Sequence, residues 1–460
     1  MKNYASYSYW METCDDDLTP RPALVGSIDA DVAILGGGFS GLWTAYYLLK
    51  REPSLKVAVL EKEIVGFGAS GRNGGWCTAG FPLGMRWFDE HFGRDAAIAV
   101  QHAMYDTVNE VGRVAEAEGI DIHYAKGGSL RVARGTHQLP SIEGGTQTYE
   151  AFGLGDEVQY LNAQETAARV NIDGALASIW SRNTAVIHPA RLVRGLARVV
   201  ERMGGTIYEQ TTVTGYTSGA YPALHTNQGH ARARTVVLAG EAYLSQLPPL
   251  RRRILPAYSL ITLTEPLTDA EWQQIGWDAR ECVSSAALMV DYLSKTQDGR
   301  ILFGGRGAPY HFASSIRDEY DQHGGTHQML QDNVRTWFPM LKDVRFTHTW
   351  GGPLGWPRDY VPTIGFDPAT NLATAYGYTG VGVATANLSG RILADLITQT
   401  DSAVTHLPFV NLRGKDWEPE PLRFAGVRFV QREMARLDRK ATATGQPLSG
   451  KTLAERLTKH

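Results

Sequence analysis

The first clear change of hydrophobic period in this chain comes early. Asp31 to Leu35 (DVAIL) is a short aliphatic run suited to a strand buried on both faces. It stops at Gly36. From Phe39 onward the apolar residues Leu42, Ala45, Tyr46 and Leu49 fall at i, i+3, i+4 and i+7, which predicts an amphipathic helix. Lys50 and Arg51 close its last turn with charges that suit the helix dipole. A second strand is predicted at Lys56 to Leu60 (KVAVL), ending at Glu61. Strand, helix and strand in this order make a βαβ unit.

The link between the first strand and its helix reads GGGFSG, which supplies G-x-G-x-x-G as Gly36, Gly38 and Gly41. The first glycine permits the tight turn, the second lets a pyrophosphate approach the backbone, and the third lets helix pack on strand. Unpaired N–H groups at the helix start then favour an anion. Glu61, at the end of the second strand, stands where a carboxylate accepts hydrogen bonds from ribose hydroxyls and disfavours a 2′-phosphate. The next segment, KEIVGFGASGRNGGWCTAG, has almost no apolar periodicity and so predicts a wrapping loop instead of a helix. It offers Ser70 and Arg72 to a pyrophosphate and Gly74 and Gly75 to a ring system.

The same periods return later. After His188 and Pro189, the positions Leu192, Leu196, Val199, Val200 and Met203 predict a helix that stops at Gly204-Gly205. TIYEQTTV (206–213) then reads as one strand, and Thr235 to Ala239 (TVVLA) as another that ends at Gly240. Leu372 to Tyr376 predicts a strand, and Gly377 to Gly382 a turn into a helix through Ala386, Leu388 and Ile392. Between these blocks, residues 86–184 and 251–349 alternate helical stretches with strands such as GSLRVA and GRILFGGR. The expected organisation is a Rossmann-like domain from 27–85, 185–250 and 350–400, and a discontinuous antiparallel-sheet domain from 86–184 and 251–349. A helical extension follows at 401–460, where Val427, Val430, Met434 and Leu437 are interleaved with Arg428, Arg432, Arg436, Arg439 and Lys440.

Composition narrows the class. With 460 residues, 43% hydrophobic and 20% charged, the chain is a globular protein large enough for two domains, and its 49 glycines favour close backbone approaches. A net charge of -3 offers no broad cationic surface, which excludes nucleic acid as the main partner. Cys14, Cys77 and Cys282 lie far apart and form neither a disulfide framework nor a CxxC site, so no metal is expected and a reducing, cytoplasmic compartment is. The opening MKNYASYSYWMETCDDD lacks a basic leader and apolar core, so no secretory signal is expected. The apolar stretch 32–49 is interrupted by Gly36, Gly37 and Gly38, which speaks against a transmembrane segment.

Three segments carry a resemblance to a known family: DVAILGGGFSGLWTAYYL, then EKEIVGFGASGRNGG, then WGGPLGWPRDYVPTIG followed by AYGYTGVGVATANLSGRILADLI. The chain resembles the FAD-dependent amine and amino-acid oxidoreductases that include glycine oxidase, monomeric sarcosine oxidase, D-amino-acid oxidase and γ-glutamylputrescine oxidase. GFGASGRNGG makes it most like the last branch. The resemblance implies FAD contacts at Gly36, Gly38, Phe39, Ser40, Gly41, Glu61 and Lys62, and at Gly68, Ala69, Ser70, Arg72, Asn73, Gly74, Gly75 and Trp76. It further implies that Val213 lies against the adenine and that Ala239-Gly240 passes close to the cofactor. The late turn, Gly377, Tyr378, Thr379, Gly380, Val381, Gly382 and Val383, would face the N1 and C2-carbonyl side of the flavin, where negative charge accumulates on reduction. The family often has His at the position of Val381. Sarcosine oxidase attaches its flavin through a late cysteine that is absent here, and some relatives use a Trp-His pair of which Trp76-Cys77 is faintly reminiscent. A tightly held, non-covalent FAD is therefore expected.

The implied reaction is oxidation of a small-molecule amine or amino acid by hydride transfer to flavin N5, giving an imine that water hydrolyses, with oxygen reoxidising the flavin. Candidate substrate-pocket residues are Tyr258, Tyr292, Arg306 and Trp356. Tyr292 and Arg306 bracket the strand pair DYLSKTQDGRILFGGR, whose family counterpart lies over the flavin, and Arg306 would clamp a substrate carboxylate or favour oxygen reduction. Two readings stay open beside this one: a dehydrogenase that passes electrons to a quinone or protein, with the basic extension as docking surface, and a non-catalytic FAD-binding protein. The particular amine and the oligomeric state are left unassigned.

Overall fold

The computed structural model describes residues 2–306, 310–448, 450 and 452–454, the side chain of Arg306 excepted. Strand β1 (Val32–Leu35) turns through glycines into helix α1 (Phe39–Arg51) and returns in β2 (Val57–Leu60). Leu42, Ala45, Tyr46 and Leu49 are all buried, as their spacing requires. After a first excursion come α2 (Pro189–Arg202), β3 (Thr206–Tyr208) and β4 (Thr235–Leu238). A second excursion carries β5 (Leu255–Thr264), β6 (Asp291–Lys295), β7 (Ile301–Arg306) and β8 (Phe346–Trp356). The chain then returns through β9 (Thr363–Asp367), β10 (Leu372–Tyr376) and α3 (Gly382–Ile397), and a long helix, α4, spans Leu422–Thr444.

Two large sheets organise these elements into a Rossmann-like α/β domain and a substrate domain. The first has strand order β9-β10-β4-β1-β2-β3, parallel except for β9. Leu35 is in register with Leu60 on one side and Leu238 on the other. The chain therefore leaves β1, β2, β4 and β10 at one common edge, and that edge is a topological switch point because β2 and β4 flank β1 on opposite sides. Helices α1 and α3 pack so closely that a Cβ on Gly390 would lie 2.6 Å from the Trp43 Cβ.

The second sheet runs β8-β5-β7-β6 and continues through the strands 282–285, 129–133, 177–181 and 158–162. It is antiparallel except where 282–285 pairs with 129–133. One face, with Leu260, Leu293 and Phe303, packs on the helix Gly324–Trp337. The opposite face presents Ile261, Leu302 and Trp350 to an N-terminal segment (Tyr4, Tyr9, Trp10, Met11) and to Ile64 and Phe67 of the loop after β2.

Three expectations change. TIYEQTTV is not one strand: β3 stops at Tyr208, and Val213 opens a strand (Val213–Thr217) of a separate four-stranded sheet. The buried Glu209 carboxylate breaks it by accepting the backbone N–H groups of Arg21 and Val65, each at 2.7 Å, while Gln210 takes a positive φ of 51°. The boundary drawn at 350 falls inside β8, which pairs with β5 from Phe346 to Trp356; Gly351, Gly352, Pro353 and Gly355 disguise that strand in the sequence. In the extension, the long helix among the described residues spans only Leu422–Thr444. There Leu437 is buried, Val427, Val430 and Met434 are half-buried, and Arg432, Arg436, Arg439 and Lys440 are exposed. Among the described residues, no helix is long and apolar enough to cross a membrane.

Candidate functional site

Every turn that leaves the switch-point edge meets another. Gly36 has φ +106°, and a Cβ there would stand 2.7 Å from the Ala239 carbonyl oxygen, so the turns after β1 and β4 touch backbone to backbone. A Cβ on Gly41 would fall 2.0 Å from the Gly36 carbonyl oxygen. Gly38 precedes α1 with no side-chain cap, and its missing Cβ would lie 2.9 Å from Ser70 Oγ. Ser70 Oγ accepts the Phe39 N–H at 2.9 Å, which ties the loop after β2 to the helix start. Ser40 and Tyr378 share a hydroxyl hydrogen bond of 2.8 Å, bringing the start of α1 to the turn before α3.

Glu61 closes the other side. Its carboxylate accepts the N–H of Gly37 at 2.8 Å and of Glu63 at 2.9 Å, and burial pushes its carboxyl up to about 7. Lys62 next to it is exposed. In the loop, Ala69–Gly71 forms a short 3-10 turn, and the Asn73 side chain bridges it by donating to the carbonyls of Ala69 and Ser70 and accepting from Gly75 N–H. Gly38, Glu61, Gly68, Ala69, Ser70 and Asn73, together with Gly240, Val381 and Gly382, are half-buried. The contacts above bring them to the place where these turns meet. The turn after β10 follows the same logic, with positive φ at Gly377, Thr379 and Gly380 and no side-chain cap on α3 at Val381; Val383 is buried. Two helix starts whose N-cap residues offer no side-chain acceptor thus stand beside glycine backbone and a carboxylate, the chemistry that a diphosphate and a ribose require.

The other predicted residues differ in their surroundings. Arg72 is buried and forms an ion pair with Asp321, while its Nη2 donates to Tyr243 Oη at 2.8 Å. The Arg72 guanidinium holds Asp321 ionised at neutral pH, against the burial that pushes that carboxyl up to about 6. Val213 sits on the four-stranded sheet, half-buried below β1 and β4. Tyr292 packs beside Gly74, where a Cβ would lie 2.6 Å from its ring, and shares a 2.9 Å hydrogen bond with Ser259 Oγ. Trp76 donates its indole N–H to the Leu293 carbonyl at 3.1 Å and meets the Tyr292 ring edge-on. Trp356 ends β8, packed edge-on against Tyr360. Arg306 ends β7 opposite Ser259, and its side chain lies outside the described residues. Tyr258 points to the far face of the sheet, among Leu260, Phe303 and Leu330, with its hydroxyl on the backbone of Arg317; strand alternation separates it from Ser259 and Tyr292.

Cys77 is fully buried on a strand paired through Ala185, and burial pushes its thiol up to about 12, as for a small packed side chain. Residues the sequence did not flag complete the site: Glu241, Tyr243, Asp321 and Trp10, whose indole N–H donates to the Asn73 carbonyl at 2.8 Å. Asp321 lies 249 positions from Arg72, and no periodicity could couple them.

His188 orients this region from behind. It caps α2, its Nδ1 accepting the Arg191 N–H at 3.2 Å, so Nε2 carries the proton toward Thr13 Oγ1 at 3.1 Å. Burial, with help from His123 and Arg191, lowers its pKa to about 3. A depressed histidine stabilises the fold above the unfolded value of about 6.5 and loses that contribution as pH falls toward 3. At pH 5 the loss is about 2 kcal/mol. The melting temperature should therefore drop more steeply between pH 7 and pH 5 in the wild type than in His188→Asn, which keeps a cap; equal slopes would remove His188 as the cause.

A family model described as FAD dependent oxidoreductase matches residues 31–396, from the first residue of the predicted βαβ unit almost to the end of α3. The chain belongs to that family. In sequence it is similar to gamma-glutamylputrescine oxidoreductase of Escherichia coli (strain K12), 30% identical over 381 residues that cover 82% of this chain and 86% of that protein. Sarcosine oxidase subunit beta of Arthrobacter sp is 25% identical over 397 residues, 82% of this chain and 89% of that protein. In structure the chain is similar to glycine oxidase from Geobacillus kaustophilus, with a TM-score of 0.70 at 22% identity over 84% of this chain and 99% of that one, a likeness of fold. The protein is thus an FAD-dependent oxidoreductase of the amine and amino-acid type.

Proposed function

We propose that the protein oxidises the C–N bond of a small amine or amino acid, with oxygen as the electron acceptor. The observation that carries this reading is the convergence of the turns after β1, β4 and β10 on one cleft, with Tyr292 of the second sheet closing over Gly74. Gly36, Gly38, Gly41 and Ser70 would hold the pyrophosphate, Glu61 the ribose, and Gly74, Gly75 and the turn 377–383 the flavin ring. Bound FAD supplies a two-electron centre that accepts hydride.

The remaining work falls to side chains. Tyr292 and Trp76, which meet edge-on, form an aromatic wall that excludes water and holds a neutral amine with its α C–H toward the cofactor. Ser259, through Tyr292 Oη, keeps that ring fixed. The substrate loses hydride and a proton to become an imine, and water converts the imine to a carbonyl compound and a smaller amine. Oxygen then takes up two electrons and two protons as hydrogen peroxide. A γ-glutamyl-capped polyamine heads the list of substrates to try, because the gamma-glutamylputrescine relative aligns over most of both chains.

Anaerobic mixing with a panel of secondary amines, acylated polyamines and amino acids should bleach the flavin absorbance with at least one compound, and air should restore the colour with release of one peroxide per turnover. A flavin that no member bleaches would sink the reading. Bleaching followed by reoxidation through a quinone analogue, without peroxide, would instead assign a dehydrogenase.

A further inference from the structure

Glu241 directly follows the Ala239-Gly240 turn and adopts φ +47°, a left-handed conformation that a glutamate avoids unless its surroundings impose it. Its carboxylate reaches across the cleft edge. Oε2 accepts the Gly377 N–H at 3.0 Å and Oε1 the Tyr378 N–H at 3.2 Å, so both oxygens grip the turn after β10. The end of β8 is held at the same point: Gly355 N–H also bonds this carboxylate, and a Cβ on Gly355 would lie 2.4 Å from Oε2. Thr379 N–H in turn donates to the Gly355 carbonyl at 3.3 Å. Three chain segments that meet nowhere in sequence are thereby joined through one side chain.

The charge is also unusual. Among the described residues, Glu241 has no ion-pair partner, and only backbone N–H groups stabilise its ionised form against burial, which pushes the carboxyl up to about 7. A buried carboxylate without a cation is costly, and apolar packing could join these segments without it. Its position next to the 377–382 turn, where uncapped N–H groups of α3 point into the cleft, gives the charge an electrostatic role as well.

We propose that Glu241 is a positioning residue that pins the turn Gly377–Gly382 against the cofactor and sets the electrostatic field there with a lone negative charge. This rests on the reading that the turn lies against the flavin. A negative charge beside the ring disfavours the reduced, more negative cofactor, so the carboxylate counteracts the α3 helix end and holds the potential down.

The test compares purified wild type, Glu241→Gln and Glu241→Ala for FAD affinity and, at pH 8.5 where the carboxylate is ionised, for the flavin midpoint potential. Glutamine keeps one acceptor oxygen and the shape. It should retain FAD within about threefold of wild type while its potential moves positive by about 30 mV, a tenfold change in the two-electron reduction equilibrium. Alanine releases the turn and should weaken FAD binding at least tenfold. If both variants match wild type in affinity and potential, or if glutamine lowers the potential, the proposal is wrong. Should Glu241→Gln fail to fold, Glu241→Asp, which keeps the charge on a shorter arm, must restore a wild-type potential for the proposal to stand. Wild type that takes up no FAD would instead overturn the assignment of the cleft.

Discussion

Gly41→Ala is expected to yield folded protein almost free of flavin. The added Cβ would sit 2.0 Å from the Gly36 carbonyl oxygen, and the obstacle is backbone, so no rotamer change relieves it. Either α1 lifts away from β1 or the 36–41 turn opens. Both motions displace the Phe39 N–H from Ser70 and the Ser40 hydroxyl from Tyr378, the contacts that shape the pyrophosphate end of the cleft. A loss of a hundredfold or more in FAD affinity, about 3 kcal/mol, follows if the turn carries the phosphates. The ratio of flavin to protein absorbance after purification, and titration of the apoprotein with FAD, measure it. Gly84→Ala is the control, because a Cβ at Gly84 meets nothing within 4 Å and the residue has an ordinary φ of -78°. Wild-type flavin content in Gly41→Ala would move the cofactor elsewhere.

Breaking the Arg72–Asp321 pair should cost more than any surface substitution in this chain. Both residues are almost fully buried, at 3% and 6% exposure, so truncating one leaves an uncompensated charge that water cannot reach. Asp321→Ala is expected to destabilise the protein by about 3–5 kcal/mol, read as a large fall in melting temperature. The pair also joins the loop after β2 to the segment before the helix Gly324–Trp337, so flavin release should accompany the loss of stability. The double variant Arg72→Met with Asp321→Leu should recover much of the stability, since a paired replacement removes the stranded charge. If Asp321→Ala melts with the wild type, the ion pair contributes nothing at neutral pH. Tyr243→Phe, which removes only the hydroxyl that accepts from Arg72, should fall between, at about 1–3 kcal/mol.

The N-terminal segment explains why the loop after β2 is held so firmly. Ser8 donates to the Gly71 carbonyl at 2.9 Å, Trp10 to the Asn73 carbonyl, and a Cβ on Gly71 would meet Met11 sulfur at 2.9 Å. A loop with five glycines between positions 66 and 75 would lose much conformational entropy on ordering, and these contacts offset that cost.

Much of the fold was legible along the chain, because what it needed was local. A 3.6-residue apolar period decides that 39–51 is a helix, and hard-sphere contact decides that positions 36 and 41 are glycine. Glu61 and the strand Leu372–Tyr376 fell where pattern placed them for the same reason. The sequence by itself also identified the family, since its motifs are short runs whose order survives divergence. Tertiary structure alone decided which side chains meet. It sent Arg72 to an aspartate 249 positions away, turned Tyr258 to the far face of β5, stopped TIYEQTTV at a buried glutamate, and carried β8 through a stretch of glycine and proline. Each depends on a partner supplied from another part of the chain. Periodicity records which way a residue points within its own element, and it is the packing of one element on another that determines what lies there.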